Sequence, residues 1–97
     1  MGPANEPQAR ALVTSKTFER DIKRLRKRGR DLELLWPLVE AIRHNLPLEP
    51  RNRDHALTVE WQGFRDCHVA FDWVLIYRTD DEAVYLTRTG THSDLFG

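Results

Sequence analysis

The sequence predicts an α+β domain in which two N-terminal helices pack on one face of a mainly antiparallel sheet of four to five strands. Apolar residues recur every three or four positions in the first half of the chain, which is the spacing of an amphipathic helix. In the second half they alternate or run together, as they do in strands. With 97 residues the chain has the size of one small domain. We expect a flexible leader over residues 1–10 and a single domain over residues 11–97.

The composition excludes several classes of protein. The 40% hydrophobic and 31% charged residues are typical of a folded, soluble domain rather than a disordered chain. No apolar run is long enough to span a membrane, and the N-terminal stretch lacks the apolar core of a secretory signal. These features predict a cytoplasmic protein without membrane contact. Cys67 is the only cysteine, which excludes an internal disulfide and a multi-cysteine metal site.

The net charge of zero conceals a basic N-terminal half. Residues 1–53 contain 12 Lys/Arg and 7 Asp/Glu, whereas residues 54–97 contain 3 Lys/Arg and 8 Asp/Glu. This division favours a surface that binds a polyanion such as RNA. A solvated helix face with salt bridges explains the same division equally well.

The start of the domain predicts a short strand followed by a helix. The stretch ALVTS, residues 11–15, is partly β-branched and bounded by polar residues. Ser15 or Thr14 can cap a helix over about residues 16–28, which Gly29 would end. One face of this helix carries the densest positive charge in the chain, which we call the basic stripe: Lys16, Arg20, Lys23, Arg24 and Lys27.

A second helix is predicted from a further apolar stripe, although a proline interrupts its pattern. Pro37 requires that the helix start just before it or be kinked there. The two prolines of residues 45–54 then predict an extended connection. The stripe consists of Leu32, Leu35, Val39, Ile42 and Leu46.

From His55 onward, the apolar pattern predicts a meander of strands. The stretch ALTVEW should place Leu57, Val59 and Trp61 on one side, and Gln62-Gly63 can turn the chain. The stretch RDCHVAF should alternate, with Cys67, Val69 and Phe71 on one face and Asp66, His68 and Ala70 on the other. The uninterrupted WVLIY predicts a central strand, TDDE a hairpin turn and AVYLTRT the last strand.

Three of the four histidines fall in the strand half, at His55, His68 and His92. Asp72 shares the strand parity of His68, so a straight strand would present the two side chains on one face. If the strand ends meet at one edge of the sheet, the three imidazoles and the carboxylate form a cluster. Imidazole acts as base or acid near neutral pH, which suits RNA cleavage through the substrate's own 2′-hydroxyl without a metal or other cofactor.

Further residues suit the same chemistry. Arg65 or Arg88 could stabilise charge on the phosphate, and Phe96 could stack on an unpaired base. Two alternatives remain open on these residues. Imidazoles and a carboxylate can instead hold zinc or another transition metal, although no compact HxH or HExxH pair occurs. A histidine-lined surface could also bind RNA or protein without cutting it.

Three segments, RDHAL, GFRDCHVAFDWVLIY and RTGTHSDLF, together resemble the YafQ-type toxins of bacterial toxin–antitoxin modules, within the RelE superfamily. The resemblance extends from about residue 16 to residue 96. It implies a RelE-like fold and an endoribonuclease that cuts messenger RNA in the ribosomal A site and is inhibited by a cognate antitoxin. DNA would be contacted only through the antitoxin. The family's active-site positions correspond to His55, His68, Asp72, His92 and Phe96.

The sequence departs from the family pattern at two positions. Val59 stands where relatives often have glycine, so we expect a tighter or straighter first hairpin. Phe71 stands where a proline often precedes the aspartate, so the bend that orients Asp72 is expected to differ. His44 matches no family position and suits a helix end, where a cation is favourable.

Overall fold

In a computed structural model that describes residues 9–97, five strands form one sheet, and the two longer helices cover one of its faces. The order is β1-β5-β4-β3-β2, with β1 at Ala11–Thr14, β2 at His55–Ala56, β3 at Arg65–Ala70, β4 at Trp73–Thr79 and β5 at Ala83–Gly90. Strand β1 runs parallel to β5, and the other neighbours are antiparallel. The helices are α1 (Lys16–Lys27), α2 (Trp36–Arg43) and α3 (His92–Phe96). The predicted fold class is confirmed.

Most of the predicted leader lies outside the described residues. Arg10 is described, and its backbone N–H donates to the Arg43 carbonyl oxygen at 3.0 Å. The packing at this end therefore includes the last residue that we assigned to the leader.

Helix α1 has the boundaries that its capping residues predict. The Ser15 hydroxyl accepts a hydrogen bond from the Phe18 N–H at 2.9 Å, and Gly29, with φ of +80°, follows the last turn. Phe18, Ile22 and Leu25 are buried on the face opposite the basic stripe. Among the described residues, no helix combines the length and apolar character that crossing a bilayer requires.

Helix α2 is shorter than its apolar stripe suggests. A 3-10 turn at Leu32–Leu34 precedes it, and Pro37 lies in the first turn, where no backbone N–H is needed. Asn45 adopts a left-handed conformation with φ of +57°, which reverses the chain after the helix. Leu46 is consequently 59% exposed, and its prediction as part of the buried stripe was wrong.

The apolar residues form two clusters, one on each face of the sheet. The larger lies between the helices and the sheet, and includes Phe18, Leu25, Leu35, Val39, Cys67, Trp73, Leu75 and Leu86. The smaller lies on the opposite, open face, where Val74, Ile76 and Leu95 pack with Leu57, Trp61 and Phe64. Strand β4 is buried on both faces, as its uninterrupted apolar sequence predicts.

The predicted strand over ALTVEW is mostly wrong. Only His55–Ala56 pairs with β3, and Val59–Trp61 forms a 3-10 turn. Val59 has φ of +56° and is 84% exposed, so it bends the chain and does not straighten the hairpin as expected. The bend allows Leu57 and Trp61 to pack on the open face, and that burial outweighs the local strand preference.

Strand β3 changes register before the site, which corrects two further predictions. An irregularity between His68 and Ala70 turns Ala70 toward the helix-covered cluster, whereas strict alternation would place it beside His68. The strand ends at Ala70, so Phe71 is 93% exposed rather than aligned with Cys67. Asp72 lies in the following turn with φ of +48°, so a straight strand does not bring it to His68.

Candidate active site

His92 and Asp72 form a hydrogen-bonded pair at one edge of the open face. The His92 Nδ1 lies 2.9 Å from Asp72 Oδ1, and the His92 backbone N–H donates to the same oxygen at 3.1 Å. These hydrogen bonds hold the pKa of Asp72 below its usual range. With Nδ1 directed at the carboxylate, the other ring nitrogen of His92 is available for proton transfer to or from a ligand.

His68 faces this pair from strand β3. The centroids of the His68 and His92 rings are 5.5 Å apart, with an angle of 61° between the ring planes. The irregularity in β3 and the turn after it bring Asp72 from the strand to the start of α3. Two imidazoles and a carboxylate are thus brought together by β3, the turn and α3.

His55 lies beside the same cluster and next to the carboxylate of Asp66, which was not among the predicted site residues. The His55 Nδ1 forms a 2.7 Å hydrogen bond with the Arg53 carbonyl oxygen and lies 3.2 Å from Asp66 Oδ1. The latter contact is short enough for an ion pair but lacks hydrogen-bond alignment, and Asp66 Oδ1 has no hydrogen-bond donor among the described residues. Asp66 is only 4% exposed.

Burial raises the pKa of Asp66, and the nearby imidazoles of His55, His68 and His92 offset that shift only in part. A buried carboxylate oxygen without a hydrogen-bond donor lowers the stability of the fold, so its presence here points to a role in a site. The sequence did indicate that Asp66 lies on the same face as His68, because it stands two residues earlier in the same strand. The sequence did not reveal that the side chain would be buried.

An open cleft of about 640 Å³ lies between the three histidines. It is lined by Arg53, Asp54, His55, His68 and His92. Arg53 was also missed, although it lies in the RDHAL segment. Its φ of +48° turns the chain immediately before β2. The cleft therefore presents one guanidinium, three imidazoles and a carboxylate to a ligand.

A larger groove of about 720 Å³ adjoins the cleft and shares His68 with it. Its lining is mostly apolar and includes Leu34, Pro37, Leu48 and Phe71. Apart from His68, it contains none of the histidines, so we place the chemistry in the smaller cleft.

Phe96 belongs to an aromatic wall beside the cleft. Its ring centroid lies 6.2 Å from that of His92 and 6.5 Å from that of Trp61, which in turn contacts Phe64 edge-on at 5.4 Å. Phe96 remains 44% exposed. Part of its ring is therefore free to meet a ligand, and the rest is supported by Trp61.

The two arginines that we expected at the phosphate are each paired with a carboxylate, Arg88 with Asp21 and Arg65 with Asp54. The Arg88 Nε lies 2.8 Å from an oxygen of the buried Asp21. The Arg65 Nε lies 3.2 Å from Asp54 Oδ1, and its side chain does not line the cleft. The structure thus does not bring Arg65 or Arg88 to the histidines as free guanidiniums.

The basic stripe lies on the solvent-facing side of α1. Lys16, Arg20, Lys23 and Lys27 are exposed, whereas Arg24 is partly buried because its Nη2 contacts Asp21 Oδ1 at 2.7 Å. No group of three or more His, Cys, Asp or Glu within residues 9–97 has an arrangement suited to holding a metal ion.

Comparisons with known proteins agree with this architecture over nearly the whole chain. Residues 10–97 match the family model described as the bacterial toxin of type II toxin–antitoxin systems, YafQ. Two Escherichia coli proteins named mRNA interferase toxin YafQ are 42% and 40% identical over 89 residues, which cover 91% of this chain and 97% of theirs.

Solved structures show the same similarity. The crystal structure of Escherichia coli YafQ gives a TM-score of 0.86 at 40% identity, covering 91% of this chain and 99% of that one. The Escherichia coli DinJ–YafQ toxin–antitoxin complex gives 0.85 at 40% identity, covering 93% and 100%. A metal-bound toxin from Helicobacter pylori gives 0.83 at 39% identity, covering 89% and 98%. The chain belongs to the YafQ family, the bacterial toxins of type II toxin–antitoxin systems.

Proposed function

We propose that the chain is the toxin of a toxin–antitoxin pair and cleaves messenger RNA on the ribosome by histidine acid–base catalysis. It is an endoribonuclease of the mRNA interferase class, as its Escherichia coli relatives are named. The observation that carries the chemical part is the His92–Asp72 pair, which faces His68 across an open cleft. A cognate antitoxin inhibits the chain, by analogy with the DinJ–YafQ complex.

The reaction needs two proton transfers and no external nucleophile. A base removes the proton of the 2′-hydroxyl, and the 2′-oxygen attacks the neighbouring phosphorus. The bond to the 5′-oxygen breaks while an acid protonates that oxygen, which leaves a 2′,3′-cyclic phosphate and a 5′-hydroxyl. His92 is the principal proton-transfer group, and His68 stands within reach as its partner.

The carboxylates support these histidines in different ways. Asp72 orients the His92 ring and stabilises it when protonated. Asp66 supports His55 from the interior of the sheet, with its Oδ1 3.2 Å from the His55 Nδ1.

The remaining groups bind the RNA. Arg53 supplies positive charge at the cleft, a role that we had expected of Arg65 or Arg88. Phe96, supported by Trp61, offers an aromatic face on which an unpaired base can stack, at about 1–3 kcal/mol per base. A messenger RNA held single-stranded in the ribosomal A site would present both a scissile phosphate and an unstacked base.

The test compares His92→Ala with His44→Ala in cells that express the toxin without an antitoxin. We expect His92→Ala to restore growth while it remains folded, and His44→Ala to stay as toxic as the parent because His44 lies outside the cleft. Purified parent protein should yield 2′,3′-cyclic phosphate ends on ribosome-bound messenger RNA. A folded His92→Ala protein that still arrests growth would remove His92 from the chemistry.

A further inference from the structure

We propose that the ion pair between Arg28 and Asp94 is a positioning clamp, which fixes helix α3 against the end of α1 and so sets the location of His92. The inference rests on the proposed function, because it assigns these two residues a role in His92-dependent cleavage. Arg28 and Asp94 lie 66 positions apart and do not line the cleft. Both are therefore positioning residues rather than catalytic residues.

Helix α3 needs external support. It has only five residues, His92–Phe96, and an isolated helix of that length is unstable in water. Leu95 is its one buried residue, 8% exposed against the open-face cluster. Its other contacts, the hydrogen bonds of His92 to Asp72 and the contact of Phe96 with Trp61, are made by side chains of the site itself and do not seat α3 against α1. A rotation of α3 would carry His92 away from Asp72 and His68.

The clamp supplies the missing constraint. Arg28 Nη1 donates to Asp94 Oδ2 at 2.8 Å, and Nη2 donates to Oδ1 at 3.2 Å, so the two planar groups meet through two hydrogen bonds. Such a pair fixes orientation as well as distance. It also lowers the pKa of Asp94 far below its usual range, with Arg28 as the largest cause.

The surrounding backbone is arranged for this carboxylate. The Thr91 N–H donates to Asp94 Oδ2 at 3.0 Å, while the Thr91 hydroxyl accepts from the Asp94 N–H at 3.0 Å, which together form a capping box. A Cβ atom at Gly90 would lie 2.8 Å from the same Oδ2. Gly90 therefore leaves the space in which the Asp94 carboxylate meets both the start of α3 and Arg28.

The position of Asp94 makes the clamp act on catalysis. Asp94 is two residues after His92 in the same helical turn, so a rotation of α3 displaces the imidazole. A misplacement of about 1 Å at a reacting group can lower a rate about 100-fold. The clamp also ties the catalytic helix to α1, which carries the basic stripe.

The experiment uses two substitutions that alter the net charge in opposite directions. Arg28→Gln removes a positive charge and Asp94→Asn removes a negative one, while the Asn side-chain oxygen can still accept the Thr91 N–H. We expect each to lower the cleavage rate at saturating RNA by about 10- to 100-fold with a much smaller change in KM. A simple loss of RNA attraction would instead affect the two variants oppositely.

Coupling between the residues is measured with the double variant. We expect Arg28→Gln/Asp94→Asn to cleave no more slowly than the slower single variant, because either substitution alone already breaks the ion pair. Arg28→Lys should recover part of the rate, because its single ammonium group can still pair with Asp94. Arg26→Gln is the matched control, since Arg26 is an exposed residue of the same helix turn.

Amide hydrogen exchange separates failure of the clamp from failure of the proposed function. The N–H groups of Leu95 and Gly97 are bonded within α3, and we expect both to exchange faster in Arg28→Gln. Unchanged exchange and unchanged cleavage, with His92→Ala inactive, would overturn the clamp alone. Activity in His92→Ala would overturn the proposed function, and with it the catalytic role of the clamp.

Discussion

At the scale of the residue, burial of the Asp66 carboxylate beside the histidines lowers the stability of the fold. Its pKa is raised mainly by burial, so the ionised form is less favourable in the folded chain than in the unfolded chain. The stability linked to this group is present below the ordinary carboxyl pKa and is lost as the pH rises through its folded pKa. At a pH above its folded pKa, the ionised Asp66 therefore destabilises the fold.

We predict that Asp66→Asn raises the melting temperature relative to the parent at pH 8, while it slows cleavage. The gain should shrink toward pH 4, because the carboxyl of Asp66 in the parent takes up a proton there. Thermal unfolding across this range, together with a cleavage assay at neutral pH, provides the measurement. A melting temperature below the parent value at pH 8 would contradict the prediction.

Asp80→Asn is the matched control, because the pKa of Asp80 is lowered whereas that of Asp66 is raised. The exposed Asp80 accepts hydrogen bonds from the N–H groups of Glu82 and Ala83, which lower its pKa. Its contribution to stability is present above the ordinary carboxyl pKa and is lost as the pH falls through the folded pKa. Asp80→Asn should therefore lower the melting temperature at pH 8 and leave cleavage unchanged.

Val59 is a second residue whose identity conflicts with its backbone. A β-branched residue in the left-handed region is strained, by roughly 1–2 kcal/mol, and Val59 recovers little by burial because it is 84% exposed. Val59→Gly should therefore raise the melting temperature by a few degrees, even though glycine increases the entropy of the unfolded chain. Val13→Gly is the control: Val13 lies in strand β1, so its replacement should be destabilising.

At the scale of the element, helix α1 combines three tasks on different faces. Its apolar face covers the sheet, Asp21 holds Arg88, and the basic stripe points to solvent. The Asp21 contacts remove Arg24 from the freely available charges. Arg20 and the lysines of the stripe are therefore the side chains that we expect to meet nucleic acid.

We predict that Lys23→Gln/Lys27→Gln weakens ribosome association and flattens its salt dependence by up to about two units of log–log slope, because fewer counterions are released. Cleavage of short free RNA should change much less, since the cleft is untouched. Arg51→Gln/Arg78→Gln removes the same charge away from α1 and serves as the control. If the lysine variant binds ribosomes normally but no longer binds its antitoxin, the stripe is a protein-binding surface.

At the scale of the whole molecule, the proposed chemistry requires no metal, although a metal-bound relative from Helicobacter pylori is known. We predict that a saturating chelator leaves cleavage of free RNA by the purified protein unchanged, with 2′,3′-cyclic phosphate products. Free RNA is the suitable substrate because ribosomes dissociate without magnesium. Loss of cleavage that zinc or copper restores, with 3′-hydroxyl products, would favour a metal-dependent mechanism.

The sequence by itself determined the elements whose signals are local. Helix α1 follows from its apolar spacing and its capping serine, and β4 from its uninterrupted apolar run. The residues His55, His68 and His92 were also named in advance, because the chain has only four histidines, and Asp72 was named because it shares the strand parity of His68. Phe96 was named as a stacking residue from the sequence, and the family resemblance pointed to the same five residues and to the RelE-like form of the fold.

Tertiary structure alone decided where those side chains meet and which charges remain free. Asp72 reaches His92 through a turn rather than along a strand, and Arg65 and Arg88 are held by carboxylates 11 and 67 positions away in the chain. Burial of Asp66 and the Arg28–Asp94 clamp likewise depend on packing between separate elements. Periodicity reports which face of an element is apolar, whereas an ion pair depends on three-dimensional distances that no local pattern contains.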